Sequence, residues 1–143
     1  MQQNFIYHHI GLAVPALEDG MRAYSQLFGY TLTAGPFDDP IQNVSVCFMS
    51  RGAGDPAIEL VAPLGPDAPV KKILKKGNNL YHVCYEVDDI DIAIDHLREQ
   101  GSLLLSGPDP AVAFEMRPIA WLMTDVGLLV ELLEARKPQN PRI

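Results

Sequence analysis

HIGLAV at residues 9–14 returns as HVCYEV at 82–87, and this repetition constrains the fold more than any other feature of the chain. His9 pairs with His82 at an offset of 73, and Leu17 with Ile90 and Met21 with Ile94 at the same offset. One residue is lost inside the following helix, so that Gly29 pairs with Gly101, and Glu59 in IELV with Glu131 in VELL, at an offset of 72. FIYHHIGLAV is β-branched and aromatic and stops at Pro15, which predicts a strand. ALEDGMRAYSQLFG places Leu17, Met21, Tyr24 and Phe28 at helical spacing and ends on Gly29. Strands are predicted at 30–34, 44–50 and 57–63, with GPFDDP at 35–40 as a loop. The second copy gives a strand at 80–87, a helix over 88–101, and strands at 103–106, within 117–124 and at 128–134, with a loop over 107–116. Between the copies, residues 64–79 read as a linker with a short helix, capped by Asp67 and stopped by Gly77. The expectation is one α+β domain over 1–143, built from two tandem βαβββ modules at 5–63 and 80–135.

The repeat singles out four polar residues. On a regular strand neighbouring side chains face opposite ways, so His8 is expected on the face away from His9. His8 pairs with Tyr81 in the second copy, and position 8 therefore reads as a structural slot for a ring. Glu59 and Glu131 are each flanked by aliphatic residues, where an unpaired carboxylate would be costly in a dry core. Taken singly, a histidine or glutamate in a strand is more often structural. Two imidazoles and two carboxylates related by one internal symmetry instead form a divalent-metal site: His9, Glu59, His82 and Glu131. The set has no thiolate, and suits Co, Mn, Ni, Fe or Zn as the divalent metal ion.

Composition excludes some partners. The net charge of -7 and pI near 4.9 argue against a nucleic-acid surface. The basic residues concentrate in VKKILKK at 70–76, with Arg117 alone later. Cys47 and Cys84 lie in β-like runs and read as buried thiols in a reducing compartment. The opening MQQN lacks the basic region of a signal peptide, and no apolar run approaches the ~20 residues of a membrane helix. A soluble cytoplasmic protein with no membrane partner is expected.

The duplicated unit with His, Glu, His and Glu in these strands resembles the vicinal oxygen chelate superfamily of glyoxalases, epimerases, extradiol dioxygenases and antibiotic-resistance proteins. HIGLAVPALEDGMRAY, IELVAPLGPDAPVKKILKKG, HVCYEVDDIDIAIDHLREQG and LLVELLE are most similar to its methylmalonyl-CoA epimerases, and the ELVAPLGPDAPV stretch is the most specific. The resemblance implies a glyoxalase-like fold, a curled mixed sheet around a metal cleft, and a homodimer. It implies an isomerase or lyase that moves a proton next to a carbonyl of a small-molecule substrate, including acyl-CoA thioesters. It also implies that Glu131 serves as both ligand and base; Glu115, in the loop before the strand at 118–123, is the candidate for a second acid or base. Three features depart from the epimerase pattern: the pair of segments AFEMRPIAW and LMTDVGLL near the last strands, PIQNVSV at 40–46, and the presence of Trp121 in a core strand. An Fe(II) extradiol-type dioxygenase, which uses two histidines and one glutamate, and a small-molecule binding, resistance or secondary-metabolism protein stay open as alternatives.

Overall fold

The structure is a computed structural model and describes residues 4–77 and 79–138. Most of the opening MQQN therefore lies outside the described residues. Two βαβββ units follow one another. The first comprises β1 (Ile6–Ala13), α1 (Leu17–Phe28), β2 (Thr31–Asp39), β3 (Val44–Ser50) and β4 (Ile58–Pro63). After α2 (Val70–Lys75) come β5 (Leu80–Val87), α3 (Ile90–Glu99), β6 (Leu103–Ala111), a 3₁₀ turn at Val112–Phe114, β7 (Arg117–Met123) and β8 (Leu129–Glu134).

The eight strands among the described residues form one mixed sheet in the order β2-β3-β4-β1-β5-β8-β7-β6. Within each unit the first strand lies parallel to the last, β1 beside β4 and β5 beside β8. The units meet where β1 pairs antiparallel with β5. The sheet curls until its two edges approach: the backbone N–H of Val112, just past β6, donates to Asp39 at the end of β2.

Strand alternation sorts the side chains. Cys47, Met49, Ile58 and Leu60 face the convex side under α1, against Leu17, Met21 and Tyr24. Val130, Leu132, Ala120 and Leu122 face α3 through Ile90, Ala93 and Ile94. Each fully buried aliphatic side chain in these layers contributes about 1.5–3 kcal/mol. The same period of two turns Glu59 and Glu131 toward the concave side. Helix α1 ends where Gly29 adopts φ 76°, which lets its N–H reach Ser25 and lets Tyr30 N–H reach Tyr24. Helix α3 starts with Asp89 accepting from Ile92 N–H, while Glu134 at the end of β8 accepts from Ile90 N–H.

Four expectations from sequence are corrected. GPFDDP is not all loop, because β2 continues to Asp39, and β6 likewise runs through GPDPA to Ala111. Both are edge strands with register shifts, where proline leaves no central ladder bond unmade. Asp67 does not cap α2, whose first turn is preceded by Pro69. His8 and His9 do not face opposite ways, because the β1–β5 register slips between Tyr7 and His9 and makes His8 the extra residue of a bulge. A matching slip between Gly11 and Leu12 makes Tyr81 the extra residue of β5.

Candidate metal centre

The sheet delivers four buried polar side chains to one point. His9 comes from β1, Glu59 from β4, His82 from β5 and Glu131 from β8, all within the central four strands. His9 Nε2 lies 3.2 Å from His82 Nε2, 3.4 Å from Glu59 Oε1 and 3.3 Å from Glu131 Oε1. His82 Nε2 lies 3.3 Å from each of the same two oxygens. The local sequence explains the approach. Gly11 sits directly across from His82 on the paired strand, and a Cβ there would fall 2.0 Å from the imidazole Cε1. Cys84, another small side chain, sits across from His9.

Aromatic rings complete the surround. Phe48 pairs with Glu59 across β3–β4, and Trp121 pairs with Glu131 across β7–β8. Phe48 packs edge-on against His9, with centroids 5.4 Å apart, and Trp121 packs edge-on against His82 at 4.7 Å. These two rings stand 73 residues apart, one more than the glutamates they face, so it is the strand pairing with Glu59 and Glu131 that makes them equivalent.

Burial alone pushes both imidazoles down, but the flanking carboxylates of Glu131 and Glu59 outweigh it. His9 is lifted to about 10, and His82 is also raised. Burial likewise pushes both carboxyls up, and the two imidazoles more than reverse this, so Glu59 and Glu131 both end below the usual carboxylate range. A divalent cation fits the donor set better than protons do. Two ring nitrogens at 3.2 Å compete for one proton position, and buried Glu131 Oε1 lies near both without a well-formed hydrogen bond. Donors at about 2.1 Å from a shared centre lie about 3.0–3.4 Å from their neighbours, which is the spacing found here.

With His9 buried behind them, Glu59, His82 and Glu131 of the quartet line a cavity of about 330 Å³ on the concave face. Its wall is largely apolar, including Val46, Val61, Phe114 and Ile119, with Tyr81 and Gln42 among the few polar groups. Trp121 Nε1 donates to Gln42 Oε1 at 3.1 Å, so a loop of the first unit is tied to a strand of the second across the cavity. Burial, then Glu131 and Glu59, push the Tyr81 hydroxyl up to about 12. Buried Asp39 also borders the cavity, but its oxygens accept from Ile41, Gln42 and Val112 N–H and hold the loop.

Glu115, the candidate second acid or base, is not brought to this cavity, and neither is Arg117. Glu115 has φ 56°, projects outward with a side chain 72% exposed, and pairs with Arg136 at 2.6 Å. Arg117 is used internally, donating to Glu86, the Phe114 carbonyl and the Glu134 carbonyl. Lys71, Lys72, Lys75 and Lys76 are exposed around α2, which borders the cavity through Pro69 and Ile73. Cys47 and Cys84 are buried thiols, and burial raises both.

Comparison with known proteins agrees with this geometry. The family described as Glyoxalase/Bleomycin resistance protein/Dioxygenase superfamily matches residues 8–121. The chain is 35% identical over 129 residues to the ethylmalonyl-CoA/methylmalonyl-CoA epimerase of Cereibacter sphaeroides, covering 87% of this chain and 94% of that one. It is 34% identical over 132 residues to the mitochondrial methylmalonyl-CoA epimerase of Bos taurus, covering 90% of this chain and 73% of the relative. A crystal structure of a selenomethionine methylmalonyl-CoA epimerase superposes with TM-score 0.76 at 27% identity, covering 96% of this chain and 99% of the other. The duplicated fold, the buried quartet and these matches lead to one conclusion: the chain belongs to the glyoxalase/bleomycin resistance protein/dioxygenase superfamily and resembles its methylmalonyl-CoA epimerases over nearly its whole length.

Proposed function

We propose that this protein is a divalent-metal-dependent epimerase of acyl-CoA thioesters, acting on a malonyl-type substrate at the carbon between the thioester and the carboxylate. The observation that carries this reading is the buried quartet, with its imidazole and carboxylate donor atoms 3.2–3.4 Å apart at the base of an apolar cavity. His9, Glu59, His82 and Glu131 would hold the metal. When bound, it supplies Lewis-acid polarisation of the substrate's carbonyl oxygens, so that negative charge can develop there.

The remaining chemistry belongs to the chain's own groups. The apolar wall excludes water and gives a carboxylate base more effect than it has in solution. Glu131 takes the α-proton, leaving the electron pair delocalised into the thioester carbonyl, and a proton returned to the opposite face completes inversion. Glu115 lies outside the cavity, and the second proton transfer is assigned to Glu59, the repeat equivalent of Glu131, whose Oε1 has the same two imidazole neighbours as Glu131 Oε1. The exposed lysines of α2 lie where they can meet the phosphates of a CoA moiety at the cavity rim.

We further propose a homodimer in the cytoplasm. Exposed apolar side chains such as Leu103 and Leu105 on edge strand β6 support the first, and two buried free thiols suit the second. Among the described residues no helix is long and apolar enough to cross a membrane.

Incubation of metal-loaded protein with methylmalonyl-CoA in D₂O, followed by NMR, tests the reaction. Loss of the α-proton signal is expected; a protein that holds metal yet exchanges nothing would overturn the epimerase reading.

A further inference from the structure

His8 is outside the quartet, yet its Nδ1 lies 2.8 Å from His9 Nδ1. The bulge makes this contact available, since a regular strand would have sent the two rings to opposite faces. A nitrogen pair at this distance shares one proton. His9 Nε2 points into the quartet, where a metal ligand must present a lone pair. The His9 proton then sits on Nδ1 and is donated to His8 Nδ1, which must be the bare nitrogen of a neutral ring protonated at Nε2.

The repeat supplies an internal comparison. Tyr81 occupies the equivalent bulge in β5 and packs edge-on against His82 at 4.8 Å and 83°, much as His8 packs against His9 at 5.0 Å and 79°. The slot therefore needs only a ring. Tyr81 offers no acceptor to its neighbour, and His82 Nδ1 has no hydrogen-bond partner among the described residues. The acceptor on His8 exceeds what packing requires. Half-buried against the Phe114 ring, His8 is also held in place.

We propose that His8 is a positioning residue that fixes the tautomer and ring plane of His9 and so strengthens His9 as a metal ligand. Ligating histidines ordinarily rely on such an outer partner, most often a carboxylate, a backbone carbonyl or water. Here a second imidazole fills that role. The proposal rests on the quartet holding a divalent cation.

The test compares wild type with His8→Phe, which keeps the ring and removes the acceptor, and His8→Asn, which restores one. Co²⁺ affinity is measured by competition with a chelator, and the visible spectrum of bound Co²⁺ reports ligand geometry. H8F is expected to bind Co²⁺ about 10–100-fold more weakly with an altered spectrum, and H8N to recover part of the loss. Equal affinity and spectrum in wild type and H8F would overturn the role of His8 alone. Wild type that takes up no Co²⁺ would overturn the metal reading and this role with it. Should H8F not fold, ¹⁵N NMR of metal-loaded wild type decides: a proton on His9 Nδ1 and on His8 Nε2 is expected, and a protonated His8 Nδ1 overturns the proposal.

Discussion

Gly11 faces His82 across the β1–β5 pairing so closely that a methyl group at position 11 would fall 2.0 Å from the imidazole. Gly11→Ala is therefore expected to displace His82 rather than to strain the backbone. Overpacking of this kind costs about 1–3 kcal/mol. The variant should fold with a lowered Tm and show a larger relative loss in metal affinity. Calorimetry and a Co²⁺ titration check both; unchanged metal affinity would mean that His82 is not held by this contact.

In the proposed mechanism each of the two carboxylates serves one face of the substrate. In Glu59→Gln and Glu131→Gln, epimerisation should fall by about 10²–10⁴-fold, the usual contribution of a positioned base. Residual exchange of the α-proton with D₂O should be confined to one epimer, and to opposite epimers in the two variants. Chirally pure substrates followed by NMR would show this. Identical residual exchange of both epimers in either variant would count against a two-carboxylate mechanism.

The metal-free protein should be sensitive to alkaline pH. The folded pKa of His9 is raised to about 10, because pairing with Glu131 and Glu59 outweighs burial. Its contribution to stability is complete below the unfolded histidine value of about 6.5 and is lost as pH rises toward 10. Glu131 and Glu59 are lowered, so their contribution is present above the unfolded carboxylate value of about 4.3 and is lost in acid. Metal binding displaces the histidine protons. The Tm gain on adding metal should therefore grow between pH 6.5 and 9, and thermal scans across that range measure it.

Trp121, tied to Gln42, closes one side of the cavity. Trp121→Phe keeps a ring beside His82 but removes bulk and the hydrogen bond. It should shift the kcat/KM ratio toward a substrate one methylene larger at the α-carbon, by about 10-fold or more. Competition between ethylmalonyl- and methylmalonyl-CoA gives the ratio.

Charge reversal at Lys71 and Lys75 should raise KM for acyl-CoA several-fold, most strongly at low salt, because these side chains are exposed and screened. Metal affinity should not change. Steady-state kinetics at two ionic strengths distinguish this from a structural effect.

Much of the site was legible because duplication repeats it. His9 and His82, and Glu59 and Glu131, stood out through fixed offsets, whereas Phe48 and Trp121 are one residue out of that register and are matched only by their pairing with the two glutamates. The partnership of His8 was not legible. It depends on a bulge, and a bulge arises from the register between two strands 73 residues apart rather than from either strand alone. The lengths of β2 and β6 were hidden by Gly-Pro pairs that read as breaks but lie on edges, where the ladder tolerates them. Glu115 misled because loop position says nothing about direction; its left-handed backbone sends the carboxylate out to Arg136.

The most direct test of the metal centre is an anomalous-scattering map from crystals of the protein loaded with Co²⁺. One ion per chain is predicted, bonded to the Nε2 atoms of His9 and His82 and to carboxylate oxygens of Glu59 and Glu131. An ion bound elsewhere, or no ion at the quartet at saturating Co²⁺, would contradict the account.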